Sequence, residues 1–68
     1  MKAVELRQLS DAELQARLDE TKAELMNLRF QSASGQLEDN NRMRIVKRDV
    51  ARVMTIMTER AMEAEHAQ

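Results

Sequence analysis

The chain has no cysteine, proline, tryptophan or tyrosine, and it carries a single glycine, a single phenylalanine and a single histidine. Without cysteine no disulfide can staple so short a chain, and no thiolate is present for zinc binding or nucleophilic chemistry. His66 has only Glu63 and Glu65 beside it, at a spacing that a helix does not gather on one side, so no metal is expected. One glycine excludes a glycine-rich phosphate loop, and 68 residues leave little chain to wall a pocket. An enzyme is therefore not expected, nor a cofactor. No apolar run approaches the roughly 20 residues that cross a membrane, and the first residues lack the apolar stretch of a secretory leader. A cytoplasmic protein is the expectation.

What is present favours helix. Charged residues make up 34% of the chain, and Ala, Leu, Glu, Gln, Arg and Met dominate the remainder, which predicts an all-α fold. A chain of this size forms one domain, residues 1–68, whose core contributes only a few kcal/mol, so a partner is expected to complete its stability.

The net charge of −1 conceals a segregation. Residues 28–54 hold six cations against three carboxylates, whereas the segments on either side are each acidic by two charges. Any attraction to nucleic acid must therefore come from local pattern rather than from bulk charge.

Residues 2–9 contain Val4, Leu6 and Leu9 in a spacing that suits one or two helical turns, too short to stand alone and so expected to fold back on the rest. Ser10 followed by Glu13 reads as a capping box that opens a helix over 10–34. Leu14, Leu18, Thr21, Leu25, Leu28 and Ser32 recur at steps of four and three along it, which makes one packing seam. Asp19 and Lys22 stand on its solvated face as a weak pair. Gly35 can take the left-handed conformation of a helix C-cap, and Gln36, Leu37 and Glu38 continue a turn over 35–39. Asp39 or Asn40 then caps a helix over 40–61, with Met43, Val46, Val50, Val53 and Met57 as the facing seam. So short a connection returns the chain antiparallel. The architecture predicted is a long antiparallel two-helix hairpin with a short additional N-terminal helical turn and a frayed tail over 62–68.

With the second seam taken as the core direction, Arg44, Arg48 and Arg52 at i, i+4 and i+8 form a stripe on the outer side, flanked by Lys47 and Arg42. Guanidinium groups in a row suit phosphate oxygens, but such stripes also merely solubilise helices, and the residues alone leave both readings open. No aromatic residue interleaves with the arginines, so base stacking has no evident platform. Phe30 is assigned to packing at the hairpin apex with Leu37, and the methionines to core filling. Around the bend, Gln31, Ser32, Ser34, Gln36, Asn40 and Asn41 offer short polar groups that suit riboses and base edges once the arginines have docked, though alone they are ordinary loop residues.

The order and spacing of Leu28, Arg29, Phe30, Gln31, Ala33, Gly35, Gln36, Leu37 and Glu38, then Asn41, Arg42, Arg48, Asp49, Ala51, Arg52 and Thr55, are those of one family. Leu6, Leu9, Ser10, Glu13, Leu14 and Leu18 continue the likeness more loosely toward the front. The chain resembles the bacterial large-subunit ribosomal protein twenty-nine family over nearly its whole length. That resemblance implies a structural constituent of the large ribosomal subunit, bound to large-subunit ribosomal RNA near the nascent-chain exit tunnel. It also implies ribosomal protein twenty-three as a neighbour at the tunnel rim and targeting factors or chaperones as transient visitors. It favours the phosphate-tracking reading, with Arg29, Gln31, Ser34, Gln36, Asn40, Asn41, Arg42, Arg44, Lys47, Arg48 and Arg52 as the RNA-binding set. Two departures stand out: Met54 occupies a place where family members commonly carry lysine, and the tail is acidic. The alternative is a protein-interaction hairpin that pairs its apolar seam with a partner helix.

Overall fold

The computed structural model describes residues 1–37 and 39–66. Glu38, expected in the turn, and Ala67 and Gln68, expected in the tail, lie outside the described residues. Among the described residues three helices follow one another: α1 (Ala3–Arg7), α2 (Asp11–Ala33) and α3 (Asn41–His66). α2 and α3 pack along each other and α1 packs on α3. Arg42 meets Glu24 near the bend while Arg60 meets Asp11 at the open end, so the long helices run antiparallel. The fold is the all-α hairpin that periodicity predicts.

Local chemistry explains the helix ends. Ser10 Oγ accepts the Glu13 N–H at 3.1 Å, and the Ser10 N–H donates to Glu13 Oε1 at 3.4 Å, closing the expected capping box. At the far end Gly35 sits at φ +77, the left-handed region that side chains with a Cβ avoid. The Gln36 N–H donates to the Gln31 carbonyl at 2.9 Å and the Gly35 N–H to the Ser32 carbonyl at 3.2 Å. This crossed pair is a Schellman motif, which satisfies carbonyls left open by the last turn. Asp39 Oδ1 accepts the Asn41 N–H at 2.9 Å and so supplies a partner for an amide that opens α3.

Two apolar clusters lie between the helices. At the open end Leu6, Leu14, Leu18, Val53 and Ile56 are buried, with Met1, Leu9, Val50 and Met57 partly buried against them. Toward the bend Leu25, Leu28 and Val46 are buried, backed by Leu37, Met43 and Val50. Thr21 separates the clusters on α2; its buried hydroxyl shares one proton between the Arg17 and Leu18 carbonyls at 2.9 and 3.1 Å. The exposed surface is 5221 Å², against about 4,400 Å² expected for a compact protein of 7.9 kDa. The hairpin therefore leaves more of itself in water than a self-sufficient domain of its mass.

Several expectations are corrected. Phe30 does not close the apex: it is 71% exposed, because at 100° per residue it projects almost directly away from the seam. Ser32 is exposed rather than part of the seam, and Ile56, unassigned by spacing, is buried against the cluster that includes Leu6. Asp19 accepts a hydrogen bond from Gln15 Nε2 at 3.0 Å and makes no ion pair with Lys22 among the described residues. α3 extends past Ala61, where the seam ends, to His66. Its extension consists of good helix formers, and Arg60 ties it down by donating to Asp11 Oδ1 at 2.8 Å and to the Arg7 carbonyl at 3.0 Å.

Candidate nucleic-acid interface

The seam residues of α2 have a parallel row one position on, Lys22, Met26 and Arg29, at steps of four and three. On α3 the row Met43, Lys47, Val50 and Met54 runs beside the seam in the same way. The two rows border the same side of the hairpin and line a shallow groove. Lys22, Leu25, Met26, Arg29 and Val50 surround its middle, and Ser32, Asn40, Met43, Arg44 and Lys47 surround its bend end. Leu25, Met26 and Val50 make its middle apolar, its bend end is largely polar, and Lys22, Arg29, Arg44 and Lys47 stand along it.

The other side of the hairpin is closed. There α1 lies against α3, where Asp49, Arg52, Ile56 and Glu59 form a flank nearly opposite the groove. The Met1 amino group stands 3.6 Å from Asp49, Arg7 Nη2 is 3.5 Å from Glu59, and Arg52 Nη1 donates to the Met1 carbonyl. Arg42 Nε donates to Glu24 Oε1 at 2.7 Å on this same flank. None of the ion pairs among the described residues uses Lys22, Arg29, Arg44, Lys47 or Arg48. Positive charge is thus compensated on the closed side and at the open end, and it accumulates around the groove.

The sequence-assigned set divides accordingly. Arg29, Asn40, Arg44 and Lys47 come together at the groove, and Arg48 stands exposed on the outer edge of α3 beyond Arg44. Arg42 and Arg52 do not join them. Each four-residue step advances 400°, which is 40° past a full turn, so the stripe from Arg44 drifts about 80° by Arg52 and reaches the α1 flank. Arg42, one four-residue step before the buried Val46, lies only about 40° from the seam and pairs with Glu24.

The bend residues are partly committed. Ser34 Oγ donates to the Phe30 and Gln31 carbonyls at 3.0 and 3.2 Å, leaving only its lone pairs to outside donors. Asn41 Oδ1 accepts from Arg44 Nη2 at 3.4 Å. Gln31 is half-buried and Gln36 is exposed. Lys22, which lines the groove, was not among the RNA-binding residues singled out from the sequence. The four-three row carrying Lys22, Met26 and Arg29 was the available signal.

Fold and surface together define a class: a slender helical hairpin with a groove rimmed by cations along one side. Comparison with known proteins narrows this class. The profile of the family described as Ribosomal L29 protein matches residues 4–60. The large ribosomal subunit protein uL29 of Saccharopolyspora erythraea is 60% identical over 60 residues, covering 88% of this chain and 75% of that protein. The uL29 of Streptomyces avermitilis is 55% identical over 64 residues, 94% of this chain and 86% of that one. The uL29 of Natranaerobius thermophilus is 53% identical over 62 residues, 91% and 95% respectively. The chain belongs to the ribosomal L29 family.

Proposed function

We propose that this ribosomal protein, a structural constituent of the large subunit in the bacterial cytoplasm and not an enzyme, docks on large-subunit ribosomal RNA through its groove face and bend. The observation that carries this reading is the convergence of Lys22, Arg29, Arg44 and Lys47 around one open groove, with Arg48 beside them. Arginine forks match phosphate oxygens, lysines add mobile point charge, and the apolar middle lets a sugar-phosphate ridge approach without stranding polar groups. Asn40, Asn41, Gln31, Ser34 and Gln36 then face riboses or base edges beside the bend. The seat is near the nascent-chain exit tunnel, with ribosomal protein twenty-three adjacent and targeting factors or chaperones reaching the outer side. Family resemblance supports that seat. The alternative, a seam open to a partner helix, is disfavoured because α1, α2 and α3 already fill the seam among themselves.

The test is the combined variant Lys22→Glu, Arg29→Glu, Arg44→Glu, Lys47→Glu. All four side chains point away from the core, so circular dichroism is expected to show parental helix content while incorporation into large subunits is lost. Single Lys→Gln or Arg→Gln changes are expected to reduce the dependence of log affinity on log salt by up to about one unit each. Normal incorporation of the fourfold variant would remove the groove from the interface. Site-specific cross-linking from Met62 in assembled subunits tests the proposed seat, with ribosomal protein twenty-three as the expected product.

A further inference from the structure

The single phenylalanine of the chain is also one of its most exposed apolar groups. Phe30 is 71% exposed, and Met26, one turn before it, is 73% exposed. The hairpin closes without this ring: Leu25, Leu28 and Val46, with Leu37 and Met43, fill the bend cluster. The backbone beneath the ring is nevertheless held firmly. The Phe30 carbonyl accepts both the Ser34 N–H and Ser34 Oγ at 3.0 Å, one turn from the Gly35 cap. A fixed backbone thus presents a flat apolar face to solvent beside the cationic groove.

The surroundings indicate what covers it. From Leu25 to Leu37 there is no carboxylate in the sequence; the only charge is Arg29, and Asn27, Gln31, Ser34 and Gln36 supply amide and hydroxyl groups. Arg29, the residue before the ring, lines the groove. The guanidinium of Arg29 for phosphate, the ring of Phe30 for a base face and the amides of Asn27 and Gln31 for base edges stand within little more than one helical turn, which is the combination that unpaired nucleotides require. We infer that Phe30 is a stacking platform for an unpaired nucleobase of the bound RNA, in a bulge or loop next to the phosphates held by Arg29. The assignment rests on the RNA reading of the groove. It changes what that groove recognises: a duplex backbone alone has no use for the ring, whereas a site with one extruded base does.

The test uses three variants of the full chain, Phe30→Trp, Phe30→Leu and Phe30→Ala, titrated with protein-free large-subunit ribosomal RNA. The chain contains no tryptophan or tyrosine, so the introduced indole reports its own environment alone. Stacking predicts that Phe30→Trp binds like the parent with quenched emission, and that Phe30→Leu and Phe30→Ala both bind about tenfold more weakly with an unchanged salt slope. Circular dichroism of all three should match the parent, since the ring supports nothing in the core. If Phe30→Leu binds the free RNA as well as the parent, and the indole emission moves only when a ribosomal protein is added, the ring belongs in a protein pocket and the stacking assignment falls. Failure of the parent chain to bind the free RNA at all would remove the groove reading and this one with it.

Discussion

At the open end of the hairpin three helices contribute to the core, and Leu14 and Val53 are fully buried while Leu6, Leu18 and Ile56 are nearly so. At the bend only two helices meet, and of the three buried side chains Leu25 and Leu28 still show 8% of their surface. Charge runs the other way. The open end ties its cations to carboxylates, as in Arg60 with Asp11 and Arg7 with Glu59, whereas the groove beside the bend leaves its cations to the outside. The two regions differ in kind: the first is the more deeply buried, and the second is thinner and leaves its cations exposed. A small protein that must offer a large surface has to place its core somewhere other than behind that surface.

The sharpest way to break this contrast is truncation on each side of Thr21. Leu14→Ala removes a fully buried side chain from the three-helix cluster and is expected to cost about 3 kcal/mol, enough to unfold much of the free chain. Leu28→Ala, in the thinner cluster that can collapse toward solvent, is expected to cost about 2 kcal/mol. Urea denaturation followed by circular dichroism compares them, and equal losses would mean that the two clusters are a single core.

Next in size is the bend itself. Nothing lies within 4 Å of the position a Cβ would take at Gly35, so any penalty there is one of backbone conformation alone. Gly35→Val is expected to cost at least about 1 kcal/mol, and Gly35→Asn distinctly less, because asparagine tolerates the left-handed region. Should both variants melt alike, the penalty has another origin than positive φ. The smallest effect concerns the junction. The carbonyls that Thr21 contacts belong to its own helix, so Thr21→Val strands no buried donor and is expected to stay within about 0.5 kcal/mol of the parent. A large loss at this site would show that the hydroxyl links the two ends instead of merely separating them.

Much of this architecture was legible in residue order. The capping box at Ser10, the glycine bend and the seam from Leu14 to Leu28 are local signals, and each governs a local outcome. What escaped was decided across the chain. Ile56 is buried because α1 docks on α3, a contact with no signature in either segment. The engagement of Arg42 and Arg52 left no sign in the sequence because their partners, Glu24 and Met1, stand 18 and 51 residues away. Phe30 is a different case: helical arithmetic already placed it opposite the seam, and the habit of counting aromatic rings as core overrode it. Lys22 was visible too, in the row with Met26 and Arg29, but attention to the arginines of α3 left the matching flank of α2 unread.

The docking of α1 on the far end of α3 also sets an order of events during synthesis. Leu6 must wait for Val53 and Ile56, and Arg7 for Glu59 and Arg60, before it can reach its place. At about 5–20 residues per second, roughly 3–10 seconds separate the making of the one segment from the making of the other. The helices themselves form in microseconds or less, so α2 can coil as it emerges while the residues before it remain without their apolar seat. The α1 segment is therefore fixed late, and the cluster that includes Leu6 closes only once Val53 and Ile56 have been made.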